Sequence, residues 1–254
     1  MARRATYVKQ ARANGEILLL DAGDSLIGDE DPAKATRGAS SIDFMNRMGY
    51  DAMAVGSSDL LLGKTVLQER RSEAQFPFLS ANVVLSATGE LWFEPYLVKE
   101  VGDVRVGVLG ITDVWDVSAQ GVRVTDPFSA TAGFVPELRG KADLVVVLSR
   151  AGRAVDQRIA AEVPGIDFII GGGPYDQTYE TIENTETGTV TVQADRALKG
   201  HAGRYFGVFK ITLDADKKRP DYAWQIKSMD PEIADDTEIA DRVNYWRQQA
   251  FQKG

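Results

Sequence analysis

The sequence contains no cysteine and a single histidine, His201. Disulfides, thiolate nucleophiles and thiolate metal ligands are therefore out of reach, and one chain cannot supply a site built from several imidazoles. Basic residues are the minority: 29 Lys and Arg stand against 37 Asp and Glu, a net charge of −8. That balance argues against nucleic-acid binding, which needs a basic footprint. No apolar run approaches the roughly 18 residues that suggest a membrane span. Met1-Ala2-Arg3-Arg4 leads straight into a helical pattern rather than into the apolar segment of a signal peptide.

What is there is ordinary for a soluble globular fold. The 254 residues are 44% hydrophobic and 26% charged, enough for one large domain or two small ones. Helical spacing is read over 3–14, around Ala39, Ile42, Met45 and Met48, over about 65–74, from Asp126-Pro127 to Gly140, over 154–162 and over 236–251. Continuous apolar runs at 16–21, 51–55, 143–149 and 166–170 predict strands buried on both faces. Phe76–Ser80 is a further short strand, and residues 96–99 and 104–110 form a hairpin around Val101-Gly102-Asp103. Beyond residue 188 the pattern turns antiparallel, with strands at 189–192, 204–213 and 222–229. No internal repeat or linker interrupts this order, so residues 1–254 read as one domain. Mixed αβ units followed by an antiparallel region predict two packed sheets with helices outside.

The stretch around Val55-Gly56-Ser57-Ser58-Asp59 follows a buried strand, and strand carboxyl ends are where α/β proteins place their chemistry. With Leu18–Ser25, Met48–Gly56, Phe76–Val83, Val106–Thr112, Asp143–Ser149 and Gly165–Gly172, in that order, the chain resembles the metallophosphoesterase domain of bacterial 5′-nucleotidases, within the calcineurin-like phosphoesterases. The resemblance implies an α/β fold, a four-layer α/β/β/α sandwich of two mixed sheets. It also implies a periplasmic or exported location and a role in nucleotide catabolism. In that family two divalent metals at the strand ends activate a water against a phosphate ester. Such a pair, about 3.5–4 Å apart, clamps the attacking and leaving oxygens.

Measured against that family pattern, the ligand loops are depleted. The family's first strand and its Asp-x-His loop precede the point where this chain begins. Gly23-Asp24 matches the second loop, and Asp24 the metal-bridging aspartate. The Gly-Asn-His-Glu loop is Gly56-Ser57-Ser58-Asp59 here. The next ligand histidine is Arg150, and the closing Gly-His-x-His is Gly172-Gly173-Pro174-Tyr175. Arg150 puts a permanent positive charge where a cation would sit. The expectation is a pseudoenzyme that has lost dinuclear hydrolysis, with no cofactor. Its degenerate site comprises Asp24, Ser57, Ser58, Asp59, Arg150, Gly173 and Tyr175, and it binds a small anion, a phosphate ester or a protein partner.

Each of these residues also has a plainer reading. Asp24 could cap backbone N–H groups or pair with Arg150, and Arg150 could fill the vacated site as a salt bridge. A serine nucleophile needs an adjacent base, which the matching loops lack. Gly171-Gly172-Gly173 lacks the ending of a phosphate-binding loop. His201 reads as a surface residue, and Trp224, Trp246 and Tyr245 as packing aromatics, while Trp115, Asp113 and Asp116 could line the pocket mouth. Two alternatives stand beside the pseudoenzyme. One is a working phosphoesterase with a mononuclear site through Asp24 and Asp59, using Mn, Mg, Zn or Ca. The other is an exported redox-associated accessory protein, since some relatives carry a cysteine-containing segment just upstream of the first helix.

Overall fold

Two sheets lie face to face because their strands are apolar on both sides. The computed structural model describes residues 1–27, 32–173, 181–194, 203–213 and 220–253. The chain runs through α1 (Ala2–Ala13), β1 (Leu20–Asp21), α2 (Ala39–Met48), β2 (Ala52–Ala54), α3 (Ser57–Leu60), α4 (Lys64–Glu73), β3 (Phe78–Leu79) and β4 (Val83–Leu85). It continues with β5 (Tyr96–Val101), β6 (Val104–Ile111), β7 (Val122–Val124), α5 (Pro127–Lys141), β8 (Leu144–Ser149), α6 (Arg153–Glu162) and β9 (Phe168–Gly171). It closes with β10 (Ile182–Glu183), β11 (Val190–Gln193), β12 (Tyr205–Leu213), β13 (Pro220–Ser228) and α7 (Thr237–Lys253).

The larger sheet has the order β10-β11-β9-β8-β6-β5 and is mixed: β6, β8, β9 and β11 are parallel, and β5 and β10 join antiparallel. The smaller sheet, β1-β2-β3, is parallel at both of its pairings. The expected pair of mixed sheets is thus one mixed and one parallel sheet among the described strands.

Period-2 alternation sorts the side chains into layers. On β8, Val145 and Val147 face α5 and α6, packing on Leu138 and Ile159. Leu144, Val146 and Leu148 point the other way, to Ala52, Ala54 and Leu79 of the smaller sheet. The opposite faces of β2 and β3, through Met53 and Phe78, meet α1, α2 and α4. The result is helix, sheet, sheet, helix. The β12–β13 hairpin packs Phe209, Ile211 and Trp224 against the inter-sheet cluster. Helix α7 is tied to α2 through Asp43, which accepts from Arg242 Nε at 2.5 Å and Trp246 Nε1 at 2.6 Å.

Several elements differ from the sequence expectation. The strand at 16–21 is confined to Leu20–Asp21, because Leu19 N–H donates to the Asp51 side chain at 2.7 Å instead of to a neighbouring strand. The polar stretch after β2 is not all loop, since α3 forms there. β4 and β7, unread in the sequence, pair antiparallel over three residues each. Tyr245 packs edge-on against Trp246 and under Arg242 but stays 41% exposed, whereas Trp92 is buried.

The sheets approach closely at Gly110, where an added Cβ would lie 2.4 Å from the Leu79 carbonyl oxygen. Gly110 O also accepts from Ala81 N at 2.8 Å. Gly110→Ala must force the layers apart, and overpacking of this kind costs about 1–3 kcal/mol. A lowered denaturant midpoint is expected. Gly133→Ala, in α5 with open space around it, should instead raise stability by roughly 0.5–1 kcal/mol.

Candidate functional site

The carboxyl ends of β1, β2, β6, β8 and β9 converge on one edge of the sandwich. Beneath them runs a buried polar girdle. Thr112 Oγ1 donates to Val55 O at 2.6 Å, Asn82 Nδ2 to Thr112 O at 2.8 Å, and Thr112 N to Asn82 Oδ1 at 2.8 Å. Each buried polar group is matched, which keeps a polar layer tolerable inside the fold. The girdle sets the heights at which the loops leave the sheets.

Asp24 follows Gly23, and both residues have positive φ, 57° and 98°. Asp is among the few side chains that accept this region. The turn is held by Asp21, whose Oδ1 accepts from Gly23 N at 2.9 Å and Ser25 Oγ at 2.7 Å. It aims the Asp24 carboxylate at the start of α3, where Oδ1 accepts from Ser58 N at 2.9 Å. The other oxygen, Oδ2, accepts from Arg150 Nη2 in a direct ion pair. Both plainer readings of Asp24 therefore hold at once: it caps a backbone N–H and it pairs with Arg150.

Asp59 sits at the third position of α3 and is fully buried. Its Oδ2 accepts from Gly56 N at 3.0 Å and Asp24 N at 2.9 Å, and its Oδ1 from Leu26 N at 3.1 Å. One carboxylate thus stitches the loop after β1 to the loop after β2. Ser57 turns to the loop after β6, donating N–H to Asp113 Oδ1 at 3.0 Å and Oγ to Oδ2 at 2.6 Å. Gly173 lies past the end of β9, where its carbonyl accepts from Gln193 Nε2 at 2.8 Å. The structure gathers Asp24, Ser57, Ser58, Asp59 and Arg150, adds Asp113, and places Gly173 further along the same edge. Tyr175 and His201 lie outside the described residues.

Burial dominates the electrostatics. It pushes the Asp24 carboxyl up, while the Arg150 guanidinium pulls it back and the charge of Asp113 adds to the rise. Asp59 is raised to about 7 by burial first and by the charge of Asp24 second, against three backbone N–H bonds that favour its ionised form.

A dinuclear metal pair needs carboxylates and imidazoles free to converge on it. These donors do not fit that group. Asp24 is spent on Arg150 and Ser58, both oxygens of Asp59 on backbone N–H groups, and both oxygens of Asp113 on Ser57. Among the described residues no cluster of three or more His, Cys, Asp or Glu side chains is arranged to hold a metal ion.

One buried acid beside the site was missed in the sequence. Asp156, on the inner face of α6, is fully buried and accepts from Ser149 Oγ, the residue before Arg150. Its signal was its spacing: it falls three and four residues before Ile159 and Ala160, on the apolar stripe.

No family model matches the chain. A snake venom 5′-nucleotidase of Gloydius brevicauda is 34% identical over 188 residues, 68% of this chain and 31% of that protein. The 5′-nucleotidase of Bos taurus is 30% identical over 273 residues, 97% of this chain and 47% of that protein. The uncharacterized metallophosphoesterase YunD of Bacillus subtilis is 29% identical, covering 82% of this chain and 46% of its own length. The chain thus spans between about a third and a half of the curated relatives it matches. Among solved structures, a 5′-nucleotidase precursor from Thermus thermophilus superposes with a TM-score of 0.83 at 29% identity, over 99% of this chain and 53% of that one. The sulfate thiohydrolase SoxB of Thermus thermophilus reaches 0.86 at 21% identity, over 98% of this chain and 46% of that one, a likeness of fold.

Burial lifts Asp156 to about 7 from an ordinary value of 3.8, with Ser149 opposing. The folded protein therefore holds this proton between about pH 4 and 7 where the unfolded chain has released it. The contribution to stability is present at low pH and is lost as pH rises through 7. Asp156→Asn keeps an acceptor for Ser149 and does not titrate. Melting curves should show its stability relative to wild type rising between about pH 4 and 7, by up to a few kcal/mol in total, and levelling off above that.

Proposed function

We propose that this chain, which belongs to the 5′-nucleotidase-like metallophosphoesterases, acts as a partner-binding module rather than as a dinuclear metal hydrolase. One observation carries the reading: Asp24, the aspartate that matches the family's metal bridge, is engaged by Arg150 and by the N–H of Ser58.

Of the two ligand classes, a small anion is the poorer fit. The Ser57 hydroxyl donates to Asp113 and the Arg150 guanidinium is paired with Asp24, so an anion would have to compete with a carboxylate for each of these groups. The negative charges of Asp24 and Asp113, which act on one another, also repel an anion. A protein segment fits better. Leu61, Val114 and Trp115 are 54%, 63% and 60% exposed on the loops that carry Asp59 and Asp113. Beside them lie Asp113 and the exposed Asp116. This rim suits a partner that offers an apolar side chain next to a basic one. The reading takes residues 1–254 as one domain. An exported location is part of the proposal, supported by the precursor state named for the Thermus relative. Among the described residues, no helix is long and apolar enough to cross a membrane.

The test is metal analysis of the purified chain after exposure to Mn²⁺, Mg²⁺, Zn²⁺ and Ca²⁺, with phosphate release measured from nucleotides and simple phosphate esters. The expected result is substoichiometric metal and release no faster than in buffer. Stoichiometric metal with metal-dependent turnover would establish a working phosphoesterase and overturn the reading.

A further inference from the structure

Arg150 is nine-tenths buried, and its stem passes directly beneath Gly23. A Cβ at residue 23 would lie 2.8 Å from Arg150 Cγ. A Cβ at residue 56 would lie 1.9 Å from Asp24 Oδ1. Glycine at both positions leaves room for this ion pair and for little else. The Arg150 backbone is fixed independently, its N–H donating to Ile111 O at 2.9 Å. Its Nε is buried without a hydrogen-bond partner. The guanidinium is therefore held by packing and by charge, not by a full set of hydrogen bonds.

Around it, Asp24 carries the direct contact, Asp59 binds the backbone of Asp24, and Asp113 holds Ser57 next to Ser58. These acids sit on the loops after β1, β2 and β6, and Arg150 comes from the loop after β8. Without a positive charge among them these acids would have either to take up protons or to move apart.

We propose that Arg150 is a resident cation: a covalently attached positive charge that binds the strand-end loops together in the place of a metal, so that its removal leaves a site for a small exchangeable cation. This rests on the finding that the donors do not fit a metal pair, and it holds whatever ligand the rim binds. The loops then need no exchangeable ion in the parent protein and acquire a need for one when the guanidinium is cut away. A methylguanidinium ion has the charge and shape of the group removed and can enter the space left by truncation.

The experiment is a double-mutant cycle of Arg150→Met and Asp24→Asn, read by thermal melting at neutral pH in EDTA. Asn tolerates the left-handed backbone of residue 24, and Met fills most of the arginine stem. Each single variant leaves a buried charge unpaired and should melt about 5–15 °C lower. The double variant should recover most of that loss. Arg150→Ala, which opens the space, should regain a saturable part of its melting temperature with methylguanidinium chloride. Sodium chloride at equal ionic strength should not restore it, nor should Asp24→Asn/Arg150→Ala respond to methylguanidinium. Additive losses in the cycle would overturn the proposal, as would recovery of Arg150→Ala by sodium chloride alone. If Arg150→Ala does not fold, the Met cycle decides by itself. Stoichiometric Mn²⁺ on the unsubstituted chain would instead count against the functional reading above, so the two failures are distinguishable.

Discussion

Arg150 meets Asp24 where neither side chain has much water: their exposures are 9% and 16%. Removing two charges from water is costly, and their attraction offsets that cost only when geometry and further donors are right. Here the further donors are backbone. Ser58 N–H supports Asp24, and the N–H groups of Gly56, Asp24 and Leu26 support Asp59. The ion pair therefore depends on the loops being where they are, and the loops depend on the pair. Breaking either side would remove the support of the other, so the strand ends form one connected unit.

The rest of the edge is arranged to let that unit close. Positive φ at Gly23 and Asp24 turns the chain back over β2. The first turn of α3 offers its unpaired N–H groups to Asp24 and Asp113, a normal use of a helix start. Asp59 fills the third position of that turn and reaches back to Gly56 N–H, the acidic half of a capping box. A helix of four residues would not persist alone. It persists because its cap is also the bridge between two strand-end loops.

Legibility in the sequence followed burial. The runs at 143–149 and 166–170 are apolar at every step, because β8 and β9 face helices on one side and a second sheet on the other. The helices at 39–48 and 127–141 were marked by apolar spacing and, for α5, by Asp126 and Pro127, whose cap Ser129 N completes at 2.8 Å. What escaped was decided by partners distant in the chain. Asp51 takes the Leu19 N–H and shortens β1. β4 and β7 are three residues each, too short for a pattern, and their pairing spans nearly forty positions. In the site, residue identities were legible: Asp24 and Arg150 stood out by family position. Their bond was one of two readings, because no local pattern joins residues 126 positions apart. Asp113 was placed at the pocket mouth, but its hold on Ser57 was not foreseen. Asp156 was hidden because the apolar stripe around it draws the eye away from one acid.

The core explains why such a site can exist on this scaffold. The two sheets close through contacts that involve no site residue. Gly110 lies against Leu79, and Ala52, Ala54, Val146 and Leu148 fill the space between the layers. The polar girdle of Ser80, Asn82 and Thr112 is satisfied within itself and by Val55 and Thr125. Stability of the layers is thus separable from chemistry at the strand ends, whereas the acids there are not separable from a counter-charge. A scaffold of this kind tolerates different side chains on its strand-end loops, since the sheets already place those loops. It cannot lose positive charge among Asp24, Asp59 and Asp113 without either neutralising those acids or moving the loops. A guanidinium at residue 150 meets that condition from within the chain, and it does so only because residues 23 and 56 carry no side chain.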